Sequence, residues 1–140
     1  MSRSKLLAIA WFLLISILSH GFVDSRSFVH GVSQVSNVSE AGFSTFWKDW
    51  WWLFVKGWHV TEFFVLTLLI QHALKTWRIL VAPMLAIVAA ALDEWHQTFV
   101  PHRGGLLSDV AVDMIGILLA TIWLSTRRPG SKSLTKAQTS

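Results

Sequence analysis

Four apolar runs, at residues 6–23, 53–74, 77–96 and 106–125, take up more than half of this chain. Each approaches the roughly 20 residues a helix needs to cross a hydrocarbon core. Only the first is free of charge; the others carry charges, mostly near their ends. Lipid offers no partner to an open backbone group, so all four are expected to be helical. Composition agrees. The 140 residues are 53% hydrophobic and 14% charged, against the about 25% charged of ordinary soluble domains. The fold class expected is all-α: a polytopic membrane bundle of four transmembrane helices.

The basic residues give a direction to the bundle. Arg3 and Lys5 precede the first run, Lys75 and Arg78 fill the turn between the second and third, and Arg127, Arg128, Lys132 and Lys136 follow the fourth. An excess of Lys and Arg marks the cytoplasmic side, so both termini are expected inside. Residues 1–126 then form one transmembrane domain, and 127–140 form a disordered basic cytoplasmic tail. The acids fall on the other side. Arg3, Lys5 and the apolar stretch up to Ser19, His20 and Gly21 also admit a cleaved signal peptide, although the cleavage site is poor.

The net charge of +4 does not point to nucleic acid, because the basic residues lie at the ends of apolar runs and form no stripe interleaved with stacking aromatics. The absence of cysteine excludes a disulfide framework and a thiolate metal site or nucleophile. Residues 24–40, rich in Ser and Val, read as a polar outer loop without firm structure, with a sequon of Asn37, Val38 and Ser39. Next, Ser44 or Thr45 is expected to cap a short interfacial helix. Its Trp47, Trp50, Trp51 and Trp52, with Trp58, read as an aromatic belt or as a clamp for a sugar or lipid headgroup.

The segment 93–116 is the chemically dense part. It places Asp93, Glu94, Asp109 and Asp113 inside or beside membrane-buried runs, where a charge at a helix centre costs roughly 2.5–3.5 kcal/mol. Lys56, His59 and Glu62 sit near the outer end of the second run, and His59 and Glu62, three apart, share a face. Asp93, His96 and Gln97 share a face of the third, with Glu94 rotated about 100° towards another helix or the loop. Asp109, Asp113, Gly116 and Ala120 form a polar-then-small stripe on the fourth, and Ala82, Ala86 and Ala90 a small stripe on the third; these two helices are expected to pack on each other. Pro101, Gly104 and Gly105 bend the connecting loop so that Arg103 reaches back over the acids. Five acids then face Lys56 and Arg103, an imbalance that protonation, charged histidines, a cation or a cationic ligand must relieve.

The pattern Lys56-x-x-His59-x-x-Glu62-Phe63, then Asp93-Glu94-x-His96-Gln97-x-Phe99-Val100-Pro101-x-Arg103, then Asp109-x-x-x-Asp113-x-x-Gly116 resembles the VanZ-like family of small bacterial membrane proteins. The resemblance covers residues 56–126, within which His102, Asp113 and Ala120 depart from the residues common in that family. The resemblance implies a multi-pass protein of the bacterial plasma membrane with an outward-facing polar site, in a family named for low-level teicoplanin resistance.

Three functions compete on these residues. In the first, Lys56, His59, Glu62, Asp93, Glu94, His96, Gln97, Arg103, Asp109 and Asp113 line an outer-leaflet pocket that binds a cell-envelope component, such as a lipid headgroup, a peptidoglycan precursor or a lipoglycopeptide. In the second, His59, Glu62, Asp93, His96 and Asp109 are candidate ligands of a divalent metal in a hydrolase of lipid-linked substrates, with Glu94 or Asp113 as base; no HExxH motif supports it. A proton-coupled carrier is the third, and four helices would then require a homo-oligomer. Against all three stands a purely structural network of interhelical hydrogen bonds, worth roughly 0.6 kcal/mol each. No cofactor is called for by the sequence itself.

Overall fold

The computed structural model describes residues 2–19, 25–36, 39–74, 78–100 and 107–127. The turn at Lys75, the loop carrying Pro101, His102, Arg103, Gly104 and Gly105, the sequon Asn37 and the tail beyond Arg127 lie outside the described residues. Among the described residues five helices are formed: α1 (Arg3–Leu18), α2 (Ser25–Val35), α3 (Glu40–Ala73), α4 (Arg78–Gln97) and α5 (Leu107–Thr126). The chain is therefore all-α, and α3, α4 and α5 are long and apolar enough to cross a membrane. The two C-terminal spans fall within one or two residues of the expected 77–96 and 106–125. As described, α1 has 16 residues, about 24 Å of helix.

Two expectations are corrected. Residues 25–35, read as loop, are the helix α2. Its polar composition hid an apolar edge: Phe28 stacks on Trp47 with ring centroids 4.4 Å apart, and Val29 is buried. The separate interfacial helix does not exist. Residues 40–73 form one continuous helix of 34 residues, about 51 Å long. Its cap is Ser39, whose hydroxyl accepts the Gly42 N–H at 3.3 Å, with Glu40 in the first turn where the helix dipole favours an acid. Ser44 and Thr45 instead donate back to the Ala41 carbonyl from inside the helix. The tryptophans are accordingly not one belt. From Trp47 to Trp58 they climb about 16 Å of α3; Trp47 is buried while Trp50, Trp52 and Trp58 are exposed.

Cross-helix pairs define the directions. Lys56 meets Asp109, and His59 meets Asp113 one turn further on, so α3 and α5 run parallel. Ser19, just past α1, meets Asp93 near the end of α4, so α1 and α4 also run parallel, with α5 returning from the end α4 reaches. Arg3, Lys5, Arg78 and Arg127 thus gather at the end opposite Ser19, Asp93 and Asp109.

Burial is arranged for a lipid surround. The side chains facing out are apolar, among them Leu80, Met84, Val88, Leu118 and Ile122. The inside holds small residues and polar groups. Ala82, Ala86, Ala90 and Ala120 have no exposed surface, and Phe63, Leu66, Ile15 and Ile117 fill the remaining space. Without a hydrophobic force between helices in lipid, close backbone approach supplies the packing. Closest is Gly116: a Cβ there would stand 2.1 Å from the Val60 carbonyl oxygen. The small stripe of α5 therefore seats on α3, with which α5 has its most extensive contact, and α4 and α5 also pack on each other as expected. Helix α1 is built into this bundle, with Ile15 buried and the Trp11 Nε1–H donating to the Glu62 carbonyl at 3.0 Å.

Candidate functional site

Helical spacing accounts for the convergence. His59 and Glu62 lie on the face of α3 turned to the bundle; Asp93, Glu94 and Gln97 occupy the last turn and a half of α4; Asp113 lies about 9 Å along α5 from its start. All six are buried, Asp113 completely and Asp93 to within 1%. The sequence-derived set thus divides into an inner group and a rim.

The inner group has two parts. Around Asp93, the Ser19 hydroxyl and the Gln97 amide donate to Oδ2 at 2.8 and 2.9 Å, and the same amide reaches Glu94 Oε1 at 3.2 Å. Between the spans, one donor atom each from His59, Glu94 and Asp113 lie within 4.8 Å of one another. His59 Nδ1 stands 3.2 Å from Asp113 Oδ1, but the two are not aligned as a hydrogen bond, and both Asp113 oxygens are buried without a hydrogen-bond partner. Glu62 Oε1 and Asp93 Oδ1 are in the same condition. Four carboxylates and one imidazole are thus enclosed together, whereas buried polar groups are ordinarily satisfied.

The rim is the ion pair of Lys56 Nζ with Asp109 Oδ1, 2.9 Å apart, with the two side chains 41% and 32% exposed. Asp109 lies in the first turn of α5. At such exposure the pair is expected to stabilise by no more than about 1 kcal/mol. A Lys56→Met, Asp109→Asn double-mutant cycle on thermal stability is expected to return a coupling in that range. His96 is half-buried and stands outside the close group. Arg103 lies outside the described residues.

Ser19 was missed as a site residue. It is separated from Asp93 by 74 positions, and its only signal was a hydroxyl ending an otherwise apolar run. Glu94 and Asp113, read from sequence as bases beside a metal set of His59, Glu62, Asp93, His96 and Asp109, are instead the carboxylates grouped with His59.

Beside the inner group opens a cavity of about 440 Å³. Its walls are Leu18, Phe28, Trp47, Trp51, Phe54 and Trp58, and its polar end is Ser19, His59 and Glu62. Trp47 is fixed by stacking on Phe28 and by contacts with Trp51 and Phe54. An apolar chamber with a few convergent polar groups is the usual form of a small-molecule site.

Outward apolar faces, three long apolar helices and a buried ionisable layer together define a multi-pass α-helical membrane protein with a polar site between its spans. Residues 5–127 match the VanZ/LLP1 family, and the chain belongs to it. No curated protein and no solved structure matches the chain.

Proposed function

We propose that this protein captures an amphiphilic component of the bacterial cell envelope from the outer leaflet. One observation carries the reading: the aromatic cavity ends on His59, Glu62 and Ser19, so a single molecule can lay its chain against Trp and Phe and present its headgroup to the buried polar layer. Its volume lies within the roughly 300–1,000 Å³ of ligand pockets. The excess of carboxylates favours a headgroup bearing an amine or hydroxyls, as in aminated phospholipids, lipid-linked peptidoglycan precursors and lipoglycopeptides.

The topology belongs to the same proposal. Helix α1 is the fourth span, with Arg3, Lys5, Arg78 and Arg127 at the cytoplasmic end of a domain covering residues 1–126. Both termini are then inside, the tail 127–140 is cytoplasmic, the membrane is the bacterial inner or plasma membrane, and the chamber opens outward.

The test uses the full chain in nanodiscs containing a phosphatidylethanolamine with a photoreactive acyl chain. Crosslinks are expected to map to residues 47–62, and Val55→Trp, which fills the cavity from its wall, is expected to reduce them at least fivefold. Equal labelling of both proteins, or labelling spread evenly over the lipid-facing side chains, contradicts the reading. The glycopeptide link is tested by teicoplanin susceptibility of a host expressing the chain. A rise in resistance that Val55→Trp removes extends the ligand class to lipoglycopeptides.

A further inference from the structure

We infer that His59, Glu94 and Asp113 form a binding site for one divalent metal ion between α3, α4 and α5. The donor atoms come from three different spans and already lie within 4.8 Å of one another. Donors held about 2.0–2.2 Å from a tetrahedral Zn²⁺ stand about 3.3–3.6 Å apart, so side-chain rotation must bring the widest pair, now within 4.8 Å, closer by up to about 1.5 Å.

The second line of support is the state of the donors. Asp113 has no exposed surface, and neither of its oxygens has a hydrogen-bond partner. A simple ion pair with His59 engages Oδ1 and leaves Oδ2 buried and unsatisfied. It also leaves Glu62 Oε1 and Asp93 Oδ1 buried without a hydrogen-bond partner. Protonating Asp113 lets its hydroxyl donate to a neutral His59 Nδ1, but it leaves Oδ2 buried without a donor. A divalent ion satisfies the imidazole nitrogen and the Asp113 carboxylate at once, takes Glu94 as its third donor, and supplies two positive charges beside four buried acids. The Ser19 and Gln97 bonds that hold Asp93, and the bond from Gln97 to Glu94, orient the α4 carboxylates as outer partners do around metal sites.

One imidazole and two carboxylates suit Zn²⁺ or Mn²⁺. Three protein donors leave a coordination position open for water or an anionic oxygen. His59 also lines the aromatic cavity, which gives that position a ligand class: the phosphate of a lipid. The site is independent of the cavity reading, because metal binding is read from the free-ion signal and lipid capture from photolabelling without added metal.

The experiment is Mn²⁺ titration of the chelator-treated full chain in phosphatidylcholine nanodiscs, followed by the loss of the free-ion EPR signal, with Zn²⁺ as competitor. Wild type is expected to bind one Mn²⁺ per chain, displaced by Zn²⁺, and to melt at a higher temperature when loaded. Asp113→Asn and Glu94→Gln are each expected to weaken binding by more than the about 10–100-fold that changes around a metal site cost, and to lose the metal-dependent rise in Tm. Glu40→Gln, in the first turn of α3 and far from the group, is expected to bind as wild type. Should Asp113→Asn fail to fold, the Glu94→Gln comparison decides. Absence of a stoichiometric ion in wild type, or undiminished binding by a folded Asp113→Asn or Glu94→Gln protein, overturns the inference.

Discussion

Gly116→Val is expected to prevent the bundle from assembling. A Cβ at this position would meet the Val60 carbonyl oxygen at 2.1 Å and the Phe64 amide nitrogen at 3.0 Å. Both obstacles are backbone, so no rotamer change relieves the clash, and α5 must move off α3. Overpacked cores typically lose about 1–3 kcal/mol; with two main chains in contact the loss is expected at or above the upper figure. Moving α5 also separates Asp113 from His59, so ligand capture falls with the fold. Reversible unfolding in bicelles measures the stability, and Gly116→Ala, which adds the same Cβ, is expected to follow in the same direction. Wild-type stability of either variant contradicts the close approach of the two helices.

Phe63→Ala is the second large effect. Phe63 has no exposed surface and packs with Ile15, Leu66, Ala86, Ala90 and Ile117, which come from α1, α3, α4 and α5. In water-soluble cores this truncation costs about 3–5 kcal/mol. Here the separated helices still hold the ring in lipid, so only the lost contacts and the residual cavity count, and the expected cost is about 2–3 kcal/mol. Leu118→Ala is the matched control. Leu118 is 57% exposed to the lipid side, and its truncation is expected to change stability by less than about 0.5 kcal/mol. Equal effects at the two positions would mean that the inward and outward faces are wrongly assigned. Phe63 also follows Glu62 directly in the chain and lies one turn beyond His59, so the same variant is expected to loosen the polar layer.

The C-terminal spans were legible because hydropathy and length suffice where a run must cross lipid. Arg78 and Gln97 close α4 close to where polarity returns. The small stripes at Ala82, Ala86 and Ala90 and at Gly116 and Ala120 were also visible, since small residues at helical spacing have few other uses in a membrane. Their pairing was not visible. That Gly116 seats on Val60 depends on how three helices turn about their axes, which no local pattern contains. α2 escaped notice because its mean hydropathy is low and its structural contribution, Phe28 against Trp47, is a contact with another helix. The continuity of α3 was hidden by Lys48 and Asp49, which look like interface residues although they do not interrupt a helix.

The site divides the same way. His59 with Glu62, and Asp93 with Gln97, follow from spacing on one helix. Ser19 on Asp93, and Asp113 facing His59 with Glu94, are meetings between spans. Charge counting showed that the acids outnumber Lys56 and Arg103, but it could not say that His59, Glu94 and Asp113 would be the three side chains to approach one another.

The most direct test is whether the ionisable residues of α3, α4 and α5 share one enclosed chamber. Having no cysteine, the chain allows single replacements Glu62→Cys, Asp93→Cys and Asp113→Cys to be labelled with a membrane-impermeant maleimide applied to each side of sealed vesicles. All three are expected to react from the same side, and more slowly than a cysteine at the exposed rim position Trp58. Reaction of any two from opposite sides, or protection of all three in a folded protein whose neighbours on the lipid face behave identically, would contradict a common chamber.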